Sequence, residues 1–320
     1  MSKGVVFMVF GKKHNFHLSI SFHSLRQHYP GPVAVIHDEE NAEWVQKSIC
    51  DQDPYGLTKP VLFDVHNRKK FGRGSAYLNK TRLIELMPFS RAVFLDCDTM
   101  VVNSFPELWP KKDEVVLTQF CDWWSTGGMM SKRIRGGVPK DSDGNPIDKD
   151  PRGSWERVEP QRVNLQLSAR YPAINTGVMG LSKTSKKLSE LWKATCLKNV
   201  SFICDEIAMQ LIFVEVPHRV EPDYFNCSAK YSPSRAGFVD SNVRIWHFHG
   251  QKMLRVPAGL DLSLPVIRLL WDVDGYGIRE ACQYSKFPRR FRDNPIQFLT
   301  EDVKQPGMIE KYKITPDWLS

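Results

Sequence analysis

The sequence predicts an α/β fold in which a mixed central sheet is flanked by helices. Two short apolar runs, Val5–Phe10 and Val33–Ile36, have the pattern of buried strands. A third run, Ala92–Leu95, has the pattern of a strand buried on both faces at the centre of a sheet. Between the first two runs, large side chains recur at the spacing of one helix face: Leu18, Phe22, Leu25 and Tyr29.

The remaining elements follow in chain order. Strands are predicted at Val61–Val65, Val115–Gln119, Ala173–Leu181 and Val243–His249. Helices are predicted at Asn41–Ile49, Gly72–Met87, Lys183–Asn199, from Asp205 onward, and across Leu264–Tyr284 with a break at Gly275 and Gly277. We expect residues 1–255 to form one domain, and residues 256–320 to form a helical extension and a basic tail.

Composition limits the classes of function. Among 320 residues, 44 Lys and Arg against 36 Asp and Glu give a net charge of +8, which suits an anionic ligand such as a nucleotide. The chain shows no basic motif interleaved with aromatic residues, so specific nucleic-acid binding is not favoured. The seven cysteines include no Cys-x-x-Cys pair and indicate reduced packing residues. With no apolar run of about 18 residues, we expect no transmembrane segment and a cytoplasmic protein.

Two aspartates follow directly after the central apolar run. Asp96 and Asp98 stand at its carboxyl end, and another apolar run, Met100–Val102, comes next. Ligands of open α/β sheets bind beyond the carboxyl ends of the strands, so paired carboxylates there favour a cation. A simple turn is the alternative, because Asp is common in turns. The apolar runs on both sides favour a pinned loop, and we take Asp96, Cys97 and Asp98 as a candidate cation site.

A lysine lies on the apolar stripe of the helix predicted at Gly72–Met87. The stripe comprises Ala76, Lys80, Leu83 and Met87. Lys80 therefore either extends outward at the edge of the stripe, as long side chains do, or is a cation aimed at a phosphate.

Two polar features interrupt buried elements further along the chain. Asn175, Thr176 and Gly177 fall inside an apolar strand, which indicates either a bulge or close approach of the backbone to a ligand. Asp205 precedes a helix with an apolar face, so it is either an N-cap or an inward-facing carboxylate.

Two histidines share one face of the strand predicted at Val243–His249. Alternation along a strand places His247 and His249 together, and Gly250 and Lys252 follow. Imidazoles beside a lysine favour a metal and phosphate site over structural histidines.

These segments, in this order, resemble the glycogenin-like retaining glycosyltransferases of the GT-A fold, glycosyltransferase family 8. The resemblance covers roughly Val5 to Lys252. Its motifs are the Lys80 helix, Phe94–Thr99, Ile174–Val178, Asp205-Glu206 and His247–Lys252. Lys80 lies 16 residues before Asp96, which is the offset that the family shows between its active-site lysine and its first aspartate.

The resemblance implies a metal-dependent transfer of a sugar from a nucleotide sugar. Asp96, Asp98 and His247 would hold a divalent cation, Mn²⁺ by the character of the ligands, on the diphosphate of a UDP-sugar donor. Lys80 and Lys252 would contact the sugar or the phosphates. Two further residues of these motifs, Cys97 and Gly250, would also belong to the nucleotide-sugar site.

The resemblance further assigns Asn175 and Asp205 to the donor-sugar pocket and implies transfer with retention. A double-displacement mechanism needs a carboxylate nucleophile, and Asp205 is our candidate. We favour the front-face route, in which the leaving phosphate acts as the base. A covalent glycosyl adduct on Asp205 would refute it.

The sequence departs from the family pattern at two places. The lysine at 252 comes one residue earlier than the family's lysine, and Met253-Leu254 stand where Pro-Trp would follow. The polar segment at 131–166 has no counterpart in the family and no helical or strand period. A segment of this kind is a lid, an acceptor-binding loop or a disordered insertion.

Two other classes of protein are compatible with the sequence. A sugar nucleotidyltransferase also uses paired aspartates, but Gly11-Lys12-Lys13 is only a weak match to its glycine-rich loop. A non-catalytic glycan-binding protein needs no aspartate pair. The expected partners are a nucleotide sugar and an acceptor that is a glycan, a protein or a small molecule; a homodimer is also compatible.

Overall fold

The structure is a computed structural model, and two compact units can be distinguished in it. It describes residues 2–65, 74–124, 134, 155–168, 171–201, 203–228, 242–249, 263–285, 287 and 289–300. The first unit comprises Met1–Val6, Phe63–Phe94 and Pro106–Asp223. The second comprises Phe7–Leu62, Leu95–Phe105 and Tyr224–Ser320.

A mixed sheet of seven strands forms the centre of the fold. Its strands are β1 (Lys3–Val9), β2 (Val33–His37), β3 (Thr58–Leu62), β4 (Arg91–Leu95), β6 (Val115–Trp124), β7 (Pro172–Ser182) and β8 (His218–Glu221). Their order is β3-β2-β1-β4-β7-β6-β8. Strand β6 runs antiparallel to β7 and parallel to β8, and β2 runs parallel to β3. The sheet is therefore mixed, as the sequence predicts.

A second sheet has three short strands. These are β5 (Thr99–Val101), β9 (Cys227–Ser228) and β10 (Ile245–His247), in the order β5-β10-β9. Strand β10 runs antiparallel to β5 and parallel to β9. The strand predicted at Val243–His249 is shorter at both ends than expected, and at its carboxyl end the backbone of His249 takes a left-handed conformation with φ of 53°. A non-glycine residue in that region ends the extended pairing.

The helices agree with most of the sequence predictions. The α-helices are α1 (Asn15–His28), α2 (Ala42–Trp44), α3 (Gly74–Lys80), α4 (Leu83–Leu86), α5 (Trp155–Val158), α6 (Pro160–Ser168), α7 (Lys186–Lys198), α8 (Cys204–Ile212), α9 (Ser263–Val273), α10 (Ile278–Gln283), α11 (Arg289–Asp293) and α12 (Pro295–Thr300). A π-helix, Val45–Cys50, follows α2, and 3₁₀ turns lie at Lys12–His14, Glu39–Asn41, Pro106–Leu108, Phe213–Glu215, Asp223–Phe225 and Gly275–Gly277. Within the described ranges, no helix is both long and apolar enough to cross a membrane.

The prediction of one continuous helix at Gly72–Met87 was wrong. The described part of this stretch, residues 74–87, forms α3 and α4 with a turn between them rather than one helix. The hydroxyl of Thr81 donates to the carbonyl of Leu78 at 2.7 Å, and the Thr81 amide bonds to the same carbonyl at 3.2 Å. A hydroxyl that bonds back to the chain competes with helical hydrogen bonding, which accounts for the break.

The polar segment at 131–166 is also more regular than predicted at its carboxyl end. Helices α5 and α6 form there because Trp155 and Val163 are buried and Pro160 stands at the first position of a helix, where its missing N–H costs nothing. The rest of this segment, apart from residue 134, lies outside the described residues.

Candidate metal centre and buried polar cluster

Asp96 and Asp98 lie in a tight turn that joins β4 to β5 in the second unit. The amide of Thr99 donates to the carbonyl of Asp96 at 3.2 Å, and the Thr99 hydroxyl donates to the same carbonyl at 2.7 Å. The hydroxyl of Thr99 also lies 3.0 Å from that of Ser21 on α1. The segment is therefore a turn, which was one of the two alternatives, and this turn fixes two carboxylates at the end of a buried strand.

His247 reaches the aspartates through strand pairing. Its partner across the β5–β10 ladder is Thr99, and the amide of Phe248 donates to the carbonyl of Asp98 at 2.9 Å. The Nε2 atom of His247 lies 3.3 Å from Asp98 Oδ1 and 3.9 Å from Asp96 Oδ2. One ligand atom from each of the three side chains lies within 4.8 Å of the other two. This spacing suits a single cation held between them.

The segment Asn226–Ser228, which includes strand β9, contacts both histidines, and the sequence did not predict this. The Nδ1 atom of His247 lies 2.9 Å from Asn226 Oδ1, and the Ser228 hydroxyl lies 2.9 Å from Nε2 of His249. Since an amide oxygen only accepts, Nδ1 of His247 carries a proton, and Nε2 is the nitrogen that faces the aspartates and can bind a cation once it is deprotonated. Asn226 and Ser228 are two residues apart in the sequence, as His247 and His249 are. This equal spacing is the only feature of the sequence that could have predicted the two contacts.

His249, the second histidine predicted on this strand face, is not among the clustered ligands. Its imidazole lies against that of His247, with ring centroids 4.1 Å apart, and its Nε2 faces Ser228. Its backbone is left-handed, with φ of 53°, so His249 does not continue strand β10. The two other predicted residues of this motif, Gly250 and Lys252, lie outside the described residues.

Asp98 is ionised at neutral pH. Burial alone would raise its pKa. The imidazole of His247, through its charge and a hydrogen bond, together with His17 and His249, instead holds the pKa of Asp98 well below its usual range. An ionised carboxylate is the form that binds a metal.

The thiol of Cys97 faces the central sheet. Its side chain is buried, and Sγ donates to the carbonyl of Met8 on β1 at 3.4 Å. Cys97 thus anchors the turn between the two aspartates, and its thiol is not one of the clustered ligand atoms. The nucleotide-sugar contact predicted for Cys97 stays a prediction.

Lys80 and Asp205 meet in a buried polar cluster of the first unit. Lys80 Nζ lies 3.4 Å from Asp205 Oδ2, and their side chains are 12% and 3% exposed. The Thr176 hydroxyl donates to the same carboxylate oxygen at 2.9 Å. Lys80 also lies over the ring of Phe94, 5.1 Å from its centroid. Lys80 therefore points inward rather than extending out at the edge of its helix.

Asp205 is not an N-cap. Helix α8 begins at Cys204, and its N-cap position is Ile203, whose backbone is left-handed with φ of 53°. The main-chain carbonyl of Asp205 accepts a hydrogen bond from Trp192 at 2.7 Å. Among the described residues, the second carboxylate oxygen, Oδ1, is buried and has no hydrogen-bond partner. A buried acceptor without a partner is costly, so a hydroxyl-bearing ligand is a chemical match for it.

Asn175 lies in a bulge of β7. Val116 of β6 faces Gly180, but Thr118, two residues on, faces Asn175, so β7 carries three more residues than β6 over this stretch. The Asn175 side chain accepts from the Gly177 amide at 2.7 Å and donates to Glu206 Oε2 at 2.6 Å. The bulge alternative is therefore confirmed. It directs Thr176 toward Asp205 and Asn175 toward Glu206.

Comparison with known proteins bears on the fold. No protein-family model and no curated protein matches this chain. A solved structure of the galactosyltransferase LgtC with donor and acceptor sugar analogues has 14% sequence identity and a TM-score of 0.52, covering 91% of this chain and 99% of that chain. An active-site mutant of LgtC gives a TM-score of 0.55 at 14% identity, covering 90% and 99%. The bifunctional glycosyltransferase WbbM gives 0.57 at 14% identity, covering 89% of this chain and 52% of that chain.

These likenesses establish the architecture. This chain has the mixed α/β fold of GT-A glycosyltransferases, with a seven-stranded central sheet flanked by helices, and the predicted fold class is confirmed. At 14% identity they show the fold alone. Membership of family 8 and the domain boundary at residues 255 and 256 stay predictions.

Proposed function

We propose that this protein is a divalent-cation-dependent glycosyltransferase that uses a nucleotide sugar, specifically a UDP-sugar, as its donor. The observation that carries the proposal is the meeting of Asp96, Asp98 and His247 at the carboxyl end of a central strand. The fold, which it shares with solved glycosyltransferases, supports the same function.

The three side chains fit a divalent cation, and we propose Mn²⁺. Two carboxylate oxygens and one imidazole nitrogen suit Mn²⁺ better than Mg²⁺, which prefers oxygen ligands alone. The cation would offset the charge on the diphosphate of the donor as it leaves. The protein supplies the rest: Asn226 orients His247, and the Thr99 and Phe248 bonds hold the turn that carries both aspartates.

For the polar cluster of the first unit we propose contact with the donor sugar. Lys80 neutralises Asp205, so this carboxylate can accept hydroxyl hydrogen bonds while buried. Asn175 and Asp205 are the proposed sugar-contacting residues, and Lys80 the proposed cation. We further propose retention by the front-face route, since a Lys80-paired Asp205 is a weakened nucleophile. Mass spectrometry that traps a glycosyl group on Asp205 would contradict that route.

UDP binding measured by calorimetry, with and without Mn²⁺, tests the proposed function. We expect binding to the wild-type protein that depends on Mn²⁺. In Asp98→Asn this binding should weaken by more than roughly 100-fold, since even an outer-shell partner of a metal ligand costs about 10- to 100-fold in affinity. Asp51→Asn is the matched control, because Asp51 is an exposed aspartate of the same unit that contacts Gln46.

Two outcomes would count against the proposal. Equal UDP affinity in Asp98→Asn and wild type would remove the metal centre from donor binding. No UDP binding under either condition would exclude a UDP donor, and GDP- and CMP-sugars would be tested next. If Mn²⁺-dependent binding is found, slow hydrolysis of a panel of UDP-sugars identifies the donor. The cytoplasmic location and the homodimer stay predictions.

A further inference from the structure

A positively charged cavity lies among the carboxyl-terminal helices of the second unit. It has a volume of about 410 Å³. Its lining residues are Trp271, Arg279, Gln283, Arg289, Arg292 and Asp293. Three arginines and one aspartate are among these residues, which gives an excess of two positive charges. None of these residues belongs to the metal centre or to the Lys80 cluster.

Arg279 is held in place by the end of helix α9. Its Nε and Nη2 atoms donate to the carbonyl of Trp271 at 3.0 and 2.7 Å, and its backbone amide donates to Asp274 Oδ1 at 3.0 Å. The guanidinium also lies over the Trp271 indole, 5.6 Å from the ring centroid. A guanidinium fixed in this way loses little further entropy when it binds an anion.

The other two arginines are less constrained. Arg292 Nη1 donates to the carbonyl of Gln283 at the end of α10, at 3.4 Å. Arg289 Nε lies 3.6 Å from Asp293 Oδ2, and those side chains are 87% and 66% exposed. An ion pair so long and so solvated contributes little, so Arg289 can turn to a ligand at small cost.

The connection between α9 and α10 fixes the geometry of the cavity. The carbonyl of Tyr276 accepts from the Ser19 hydroxyl at 2.8 Å, and the amide of Tyr276 bonds to Gln52 Oε1 at 2.5 Å. Because α1 and Gln52, two residues after the π-helix, both hold this turn, Trp271 and Arg279 are positioned by the body of the second unit. The cavity is thus supported independently of any ligand.

We propose that this cavity binds the phosphate group of a phosphorylated saccharide. Guanidinium groups bind phosphate oxygens in pairs, which matches three arginines around one space. The indole of Trp271 and the amide of Gln283 offer an apolar face and a polar group for a sugar ring. A volume of about 410 Å³ is enough for a small ligand, which would stay open to solvent on the side of the exposed Arg289 and Asp293. The proposal does not rest on the proposed glycosyl transfer.

Calorimetry with glucose 6-phosphate as the probe tests this site. The wild-type chain of 320 residues is used in EDTA, so that phosphate cannot bind through a cation at Asp96 and Asp98. We expect saturable binding of glucose 6-phosphate that weakens with added salt, weaker binding of inorganic phosphate, and no binding of glucose. Because the assay contains no metal and no UDP, its failure is distinguishable from failure of the proposed function.

Arginine variants locate the binding. Arg292→Ala should weaken glucose 6-phosphate binding about tenfold or more, the usual effect of losing a charged hydrogen bond. Arg292→Lys should lie between it and wild type, since lysine keeps the charge but not the paired donors. Arg290→Ala, on the same helix but not lining the cavity, removes the same charge and should bind as wild type does. Thermal melts check that each variant is folded.

The proposal is overturned by any of three results. Wild-type protein that does not bind glucose 6-phosphate would refute the site. Equal weakening of glucose 6-phosphate binding in Arg290→Ala and Arg292→Ala would show that binding depends on the net positive charge of this helix and not on the cavity. Binding to vesicles that contain phosphatidic acid, without binding to glucose 6-phosphate, would assign the surface to a lipid headgroup and contradict a saccharide ligand.

Discussion

Asn226 determines which nitrogen of His247 is available to a cation. Its amide oxygen lies 2.9 Å from Nδ1, while Nε2 faces Asp98. We predict that Asn226→Ala lowers Mn²⁺ affinity by roughly 10- to 100-fold, as loss of an outer-shell partner generally does. The measurement is calorimetric titration of Mn²⁺ into the protein, without nucleotide.

Ser228→Ala is the matched control for this prediction. Ser228 is two residues along the chain from Asn226, but its hydroxyl contacts His249, which is not one of the clustered ligands. We expect Mn²⁺ affinity within about twofold of wild type, because only the outer-shell partners of true ligands are costly to lose. A loss of similar size in both variants would show that strand β9 matters through its fold and not through the orientation of His247.

The Lys80–Asp205 pair makes a prediction about stability. Removing one partner of a buried ion pair leaves an uncompensated charge and costs about 3 to 5 kcal/mol. We expect Lys80→Met to lower the free energy of unfolding by about that amount. Adding Asp205→Asn should recover a large part of it, because the buried charge is then gone. Denaturant unfolding of both single variants and the double variant gives the coupling energy.

Lys193→Ala serves as the control in this series, since Lys193 is an exposed lysine on α7 of the same unit. Its effect should stay within about 0.5 kcal/mol. Strictly additive effects of Lys80→Met and Asp205→Asn would show that the two side chains do not interact in solution.

Among the elements, the connection between α9 and α10 depends on Gly277. Its φ is +59°, and an added Cβ would lie 2.8 Å from Trp44 Nε1 and inside contact distance of the Ser48 hydroxyl. Gly277→Ala therefore meets both backbone strain, about 1 to 2 kcal/mol, and overpacking, about 1 to 3 kcal/mol. We predict a loss of unfolding free energy of about 2 to 5 kcal/mol, measured by denaturant unfolding.

A variant of Gly56 measures the cost of backbone strain without the cost of overpacking. Its φ is +62°, but an added Cβ would meet no atom within 4 Å. Gly56→Ala should therefore lose only about 1 to 2 kcal/mol, the cost of the left-handed backbone. If both variants lost the same amount, packing of Gly277 against Ser48 and Trp44 would not contribute.

Elements with a continuous apolar run or a clear stripe could be predicted from the sequence. Strand β4 and helix α1 are examples, since burial alone specifies them. Local hydrogen bonding was harder to anticipate. The break at Thr81 depends on one hydroxyl, and the π-helix Val45–Cys50 has the apolar pattern of an ordinary helix. In both places, local hydrogen bonding of the backbone determines the structure, and the spacing of the apolar residues does not show it.

The candidate site was predictable in part, for a related reason. Asp96 and Asp98 follow a buried strand, so their position at a sheet edge could be derived from the pattern. The contact with His247 depends on the pairing of β10 with β5, more than a hundred residues apart, and only the family resemblance implied it. Asn226 precedes a strand of two residues, which is too short to show a period.

At the scale of the whole molecule, metal binding should appear as thermal stability. All three clustered ligands belong to the second unit, so a bound cation stabilises the folded form of that unit. A ligand at 100 times its dissociation constant adds about 2.7 kcal/mol. For a chain of this size, we predict a rise in Tm on the order of 5 °C on adding Mn²⁺ to metal-free wild type, and its reversal by EDTA. Differential scanning calorimetry measures both.

The variants determine whether that shift comes from the site. Asp51→Asn should show the wild-type rise, since Asp51 is not among the clustered ligands, while Asp98→Asn should show little or none. Asp98→Asn can itself change the metal-free Tm, because it removes a carboxylate that His247 faces at 3.3 Å. The comparison is therefore between the Mn²⁺-induced shifts and not between the Tm values. A rise of equal size in Asp98→Asn would place the stabilising cation elsewhere on the protein and would separate Asp98 from metal binding.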